Sequence, residues 1–167
     1  EHKRVTRWFG QASYRWAQRH SIDAFWLRAI DRSGAPQPGR EFVEDDIDES
    51  DPRLTWLGLR ASGETRLESG HRVAYRADLA TVRGRDTVTA FDELDDGPFR
   101  AGASTGRRVR GHAFDLGATW SLPLPARPSL SLALAQGSGG ADGARTDRNF
   151  RQTGLQENEA RIAGVKR

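Results

Sequence analysis

From residue 72 to 83 the side chains change character at nearly every step: Val73, Tyr75, Ala77 and Leu79 alternate with Arg72, Arg76 and Asp78. A period of two belongs to a β-strand, whose successive side chains leave opposite faces, and it does not suit a helix of 3.6 residues per turn. The pattern recurs along the chain. Residues 5–18 place Trp8, Gly10, Ala12, Tyr14 and Trp16 on one face and Arg7, Gln11, Ser13 and Arg15 on the other. Residues 54–67 set Leu57, Leu59 and Ala61 against Trp56, Arg60, Ser62, Glu64 and Arg66. Residues 109–122 set Phe114, Leu116, Ala118, Trp120 and Leu122 against Asp115, Gly117, Thr119 and Ser121, and 129–136 alternate Leu130, Leu132 and Leu134 with Ser129, Ser131 and Ala133. A further strand is expected at 22–30, where Ala24-Phe25-Trp26-Leu27 is apolar on both faces and Arg28 breaks the alternation, so its register stays unassigned.

What separates these segments alternates between short and long. Arg19-His20-Ser21, Glu68-Ser69-Gly70-His71 and the stretch holding Pro123, Pro125 and Pro128 are tight turns, whereas 31–52, 84–108 and 137–149 are long polar loops rich in Gly, Pro or acidic residues. The fold class expected is all-β: an antiparallel up-and-down meander of six to seven strands, the seventh beginning near Phe150, in a single segment over 1–167. Short turns at one end and long loops at the other are the habit of bacterial outer-membrane barrels. No run of about 18–20 apolar residues is present, which excludes a membrane-spanning helix and leaves spanning strands open. Six or seven strands fall below the usual minimum of about 8, so the chain reads as part of a larger transmembrane β-barrel. The absence of Met and the start Glu1-His2-Lys3-Arg4 point the same way, to a processed product or an excised piece. Trp8, Trp16 and Trp120 stand where interfacial girdles would put them. A soluble β-barrel with the same aromatic residues in its core, binding a small acidic ligand, is the competing reading.

The chain holds 24 Arg and only Lys3 and Lys166. Part of that skew is compositional, since Gly and Ala are abundant too, but composition does not explain placement. A guanidinium is a planar fork that grips carboxylates bidentately and keeps its charge. The candidate inner-wall cations are Arg7, Arg15, Arg60, Arg66, Arg72 and Arg76, each sharing a strand face opposite Trp, Tyr or Leu, with Asp78 and Glu64 on the same faces to pair with them. A net charge of +3 is too small for a generic polyanion-binding domain, so no nucleic-acid partner is expected. There is no Cys, and His20, His71 and His112 lie at no metal-ligand spacing. The acidic run Glu44 to Asp51 lacks the turn glycine and terminal Glu of an EF-hand loop, and Gly137-Ser138-Gly139-Gly140 is followed by no Gly-Lys-Ser/Thr element. Nothing specifies a nucleophile. No metal, no cofactor and no enzymatic activity are expected.

Four stretches carry a family likeness: Arg60-Ala61-Ser62-Gly63-Glu64-Thr65-Arg66, His71-Arg72-Val73-Ala74-Tyr75-Arg76-Ala77-Asp78, Asp115-Leu116-Gly117-Ala118-Thr119-Trp120, and above all Phe150-Arg151-Gln152-Thr153-Gly154-Leu155-Gln156-Glu157-Asn158-Glu159-Ala160-Arg161. Together they resemble the alginate-export porin family, over most of this chain but only about a third of that family's barrel. The resemblance implies a bacterial outer-membrane channel whose arginine-lined pore passes a uronate-type anionic polysaccharide outward. It also implies contact with the lipid and lipopolysaccharide of the outer membrane, and partners in a periplasmic export machinery.

Overall fold

The computed structural model describes residues 4–42, 50–94, 98–140 and 145–152. Eight strands form one sheet: β1 (Val5–Ala17), β2 (His20–Asp31), β3 (Glu41–Phe42), β4 (Ser50–Arg66), β5 (Arg72–Glu93), β6 (Phe99–Ser121), β7 (Ser129–Gly137) and β8 (Thr146–Asp147). The long strands pair antiparallel in the order β1-β2-β4-β5-β6-β7, an up-and-down meander that makes a half-barrel. Among the described residues β1 and β7 each pair on one side only.

The short turns fall within about two residues of their expected places, the first at Gln18 and Arg19 with His20 and Ser21 already in β2. The turn between β4 and β5 closes with the Leu67 and His71 backbones bonded, and Gly70 sits at φ 81°, a conformation that costs glycine nothing. The largest departure is at 84–108. No long loop lies there: β5 and β6 continue through it as a hairpin, paired from Arg72↔Ser121 to Glu93↔Phe99. Gly and charged residues suggest a loop at 84–108, yet Gly84 is needed within the ladder. A Cβ on Gly84 would stand 2.1 Å from the Arg53 carbonyl oxygen, so a side chain there would clash with β4. At the loop end of the hairpin the Leu94 N–H donates to the Pro98 carbonyl at 2.9 Å. Pro52, expected to end a ladder, lies inside β4 and pairs with Asp86 of β5. The β2 ladder ends one residue later, at Arg53, so a missing donor costs little on that side.

The other edge of β6 is shared by three segments. β7 takes the turn-side half, β8 pairs in parallel with Arg108 and Val109, and β3 pairs with Phe99 and Arg100 at the loop end. The expected loop at 31–52 therefore crosses the loop end and adds a strand there, where Phe42 packs edge-on against Phe91 at 5.7 Å. Of the acidic run Glu44 to Asp51, residues 44–49 lie outside the described residues and Ser50 and Asp51 begin β4; of the expected seventh strand, residues 150–152 are in no strand and the rest lies outside the described residues.

Register assigns the faces. Leu59, Leu79 and Phe114 stand in one cross-strand row with Ala24 and Ala12, and Arg60, Asp78 and Asp115 stand in the next row with Asp23 and Ser13, pointing the opposite way. The first set belongs to an apolar outer face that leaves Tyr14, Ile22, Trp26, Leu57, Leu59, Leu79, Leu116, Trp120, Leu130, Leu132 and Leu134 exposed. The second belongs to an inner face. Its loop-side half is dry: Leu27, Trp56 and Val82 form one row, Ala29, Leu54 and Val109 the next, and all are buried. Residues 145–152 cover them. Gly111 makes the cover possible, since a Cβ there would lie 2.6 Å from the Asn149 carbonyl oxygen and 2.8 Å from the Phe150 Cα.

This packing resolves the second strand. Phe25 and Leu27 point inward to the cluster while Ala24, Trp26 and Arg28 point outward. The strand is apolar on both sides because its inner side is covered.

Candidate functional site

Two features occupy the inner face, one at each end. On the turn side lies a lattice of guanidinium and carboxylate groups. Arg60 donates through Nε to Asp78 on the neighbouring strand, and Arg76 Nη2 lies 3.4 Å from Asp115 Oδ1. Glu64 is a hub, reached by Arg19 from the β1–β2 turn and standing 3.8 Å from each of Arg66 Nε and Arg72 Nη1. The arginines of these pairs are about half exposed or more, so each pair is a surface contact, worth about 0–1 kcal/mol. Close approach is built in at Gly117, where a Cβ would stand 2.8 Å from Arg76 Nε. A recess of about 250 Å3 opens beside Arg60, Asp78 and Asp115, with Phe150 and Gln152 also lining it.

All eight residues singled out from the alternation fall on the inner face by register. Six of them, Arg60, Arg66, Arg72, Arg76, Glu64 and Asp78, join the ion-pair lattice. Arg15, beside Ser21, has no ion-pair partner among the described residues, and Arg7 stands beside Ala29 at the edge of the dry cluster, apart from the pairs. Asp115 follows from the parity of its strand. Asp23 lies in the strand whose alternation Arg28 breaks and Arg19 lies in a turn, so periodicity places neither.

On the loop side a second cluster holds residues 145–152 against the wall. The Arg151 guanidinium bonds Asp86 Oδ2 at 2.5 Å and Asp147 Oδ2 at 2.8 Å, and its backbone carbonyl accepts the Trp56 indole N–H at 2.8 Å. Ser50 Oγ donates to the other Asp86 oxygen at 2.9 Å, so that fully buried carboxylate is satisfied on both sides. Burial alone would raise the Asp147 carboxyl, but the Asn149 backbone N–H and the Arg151 guanidinium hold it below its ordinary value. For Arg151 burial works against the charge, and the two carboxylates outweigh it. Nothing in the alternation pattern marks Asp86 and Arg151, 65 residues apart, as partners.

The outer face carries a group of aromatic side chains. At the turn end Trp16 stacks on His20 with centroids 5.7 Å apart, His20 Nδ1 shares a hydrogen bond with the Tyr75 hydroxyl at 3.0 Å, and Trp120 Nε1 donates to His71 Nδ1 at 3.1 Å. His20 and His71 are thus partners of ring systems. Among the described residues no three His, Cys, Asp or Glu side chains are grouped to hold a metal ion.

The family model for alginate export matches residues 1–165. The chain is 31% identical over 169 aligned residues to the alginate production protein AlgE of Pseudomonas aeruginosa, a match that takes in 99% of this chain and 33% of that protein. It therefore spans about a third of the length of this curated relative.

Proposed function

Because the chain belongs to the alginate export family, we propose that it forms part of the wall of an outer-membrane β-barrel channel that passes an anionic, uronate-type polysaccharide along its inner arginines. The observation that carries this reading is the segregation of faces. Arg60, Arg66, Arg72 and Arg76 share the inner face with their carboxylate partners while Leu57, Leu59, Leu79 and Leu116 stand exposed on the other. A soluble protein has no use for so broad an apolar exterior, whereas lipid covers it at no cost.

The carboxylates give the wall its function as much as the arginines do. A polymer carrying one carboxylate per sugar would be trapped by a bare cationic surface. With Asp78, Asp115 and Glu64 holding the guanidinium groups, each uronate exchanges with a resident carboxylate, and the sites stay weak and repeated, as conduction requires. In this frame the lipid and lipopolysaccharide of the outer membrane surround the outer face. The short-turn end looks into the periplasm, where export-machinery partners would meet it.

The test is single-channel conductance of the protein from outer membranes, reconstituted in planar bilayers with uronate oligomers. Wild type is expected to prefer anions and to be blocked transiently by the oligomers, and Arg60→Ala and Arg76→Ala to shorten the block. An anion preference unchanged in both variants, with no block of wild type, removes the lumen-cation role. Purification without detergent as a monodisperse monomer would instead favour the soluble, small-acid-binding barrel.

A further inference from the structure

One group of arginines lies on the wrong face for that pathway. Register places Arg28, Thr55, Arg83 and Arg110 in one outward-facing row and Ile30, Arg53, Arg85 and Arg108 in the next. All six arginines are exposed. They lie immediately loop-side of the apolar band, whose last row on that side holds Trp26 and Leu57. On β4 the band runs from Leu57 to Thr65, roughly 26 Å along the strand, the order of height a lipid-facing band has once strands tilt.

The arginines of the two faces differ in their company. Inner-face Arg60, Arg66, Arg72 and Arg76 each have a carboxylate partner, whereas none of these six has an ion-pair partner among the described residues. They also oppose one another directly. Arg83 pairs with Arg110, and Arg85 with both Arg53 and Arg108, arrangements in which like charges repel across the ladder. Five of them occupy a block of three strands by two rows, roughly 10 by 7 Å at the backbone. A carboxylate appears on this face only one row farther out, at Asp51.

We propose that this outward arginine block binds the phosphate groups of the glycolipid in the leaflet on the loop side, lipopolysaccharide, with its acyl chains along the apolar band below. The inference rests on the outer-membrane placement proposed above and adds a site and a ligand chemistry to it. Charge complementarity selects the occupant. A guanidinium cluster beside a hydrocarbon-facing surface fits an amphiphile with an anionic phosphate head, and forked donors match phosphate oxygens in pairs. A second copy of this chain would present the same cations and be repelled.

The experiment takes the protein extracted from outer membranes in non-ionic detergent and titrates it with lipopolysaccharide carrying its phosphates and with the enzymatically dephosphorylated form, reading bound lipid by native mass spectrometry. Wild type is expected to bind the phosphorylated form at least about tenfold tighter, and millimolar inorganic phosphate is expected not to displace it. The variant Arg83→Gln/Arg85→Gln/Arg108→Gln is expected to lose the preference while keeping the oligomer block of conductance. Equal affinity of wild type for the two lipids overturns the proposal, as does a full preference in the triple variant or displacement by inorganic phosphate alone. If the variant does not fold, the wild-type comparison decides by itself. Loss of oligomer block with the lipid preference intact would sink the transport reading and leave this one standing.

Discussion

The turn-side and loop-side halves of the inner face are built from the same strands, yet one is wet and charged and the other is a hydrophobic core. Around Arg60 the wall is a lattice of half-exposed ion pairs, and four to six residues farther along each strand it is Leu27, Trp56, Val82 and Val109, with Val82 and Val109 at 0% exposure. What differs is cover. Residues 145–152 pack closely onto the second half and reach the first only where Phe150 and Gln152 line the recess beside Arg60, so burial energy operates chiefly on the second. Inward-facing does not mean polar in a barrel wall: the face is apolar where residues 145–152 pack onto it.

That contrast predicts unequal costs for mutation. Trp56→Ala should have the largest effect, about 3–5 kcal/mol, because it opens a cavity and removes the donor to the Arg151 carbonyl. Urea unfolding in detergent micelles reads it, and a loss under about 1 kcal/mol would mean the cover is not part of the folded core. Arg151→Gln strands Asp86, which is 1% exposed, as an uncompensated buried carboxylate, at a cost of about 3 kcal/mol. Adding Asp86→Asn should recover part of the loss, and a strictly additive double variant would break the assigned pairing.

Gly111→Ala sharpens the comparison by leaving the wall alone. Its Cβ would collide with the Asn149 and Phe150 backbone, so it should cost about 1–3 kcal/mol and expose residues 145–152 to limited proteolysis. An unaltered cleavage pattern would place the segment elsewhere. Acid should loosen the same clamp more mildly. Asp147 titrates below its ordinary value when folded, so its contribution is complete above that ordinary value, about 3.9, and is lost as pH falls through the lower folded one. Protease protection of the segment should therefore be flat from pH 5 to 8 and decline below about 4. Smallest of all, Arg60→Ala should change stability by no more than about 1 kcal/mol, because its partner contact is exposed. A larger loss would make the turn-side lattice structural.

Much of this architecture is legible without coordinates because a strand reports its faces directly. The alternation in Val73 to Leu79 and in Phe114 to Leu122 assigns each side chain to the inside or the outside, and the eight candidate residues fall on one face as parity requires. Reading failed where one signal served two purposes. Glycines at 84, 102 and 106 resemble loop punctuation but sit inside the β5–β6 hairpin, and Gly84 is small because β4 passes too close for a Cβ. The doubled hydrophobicity of the strand holding Phe25 and Leu27 follows from a segment more than a hundred residues away, whose Phe150 packs on the same cluster.

By itself, then, the order of residues determined period, parity and the sign of charge on each face, since these depend only on neighbours along the chain and on the pleat of the backbone. Register between strands, the return of residues 145–152 over the inner wall and the Asp86–Arg151 bond were decided only in three dimensions. Those contacts join residues far apart in the chain, and no local propensity selects one such partner over another.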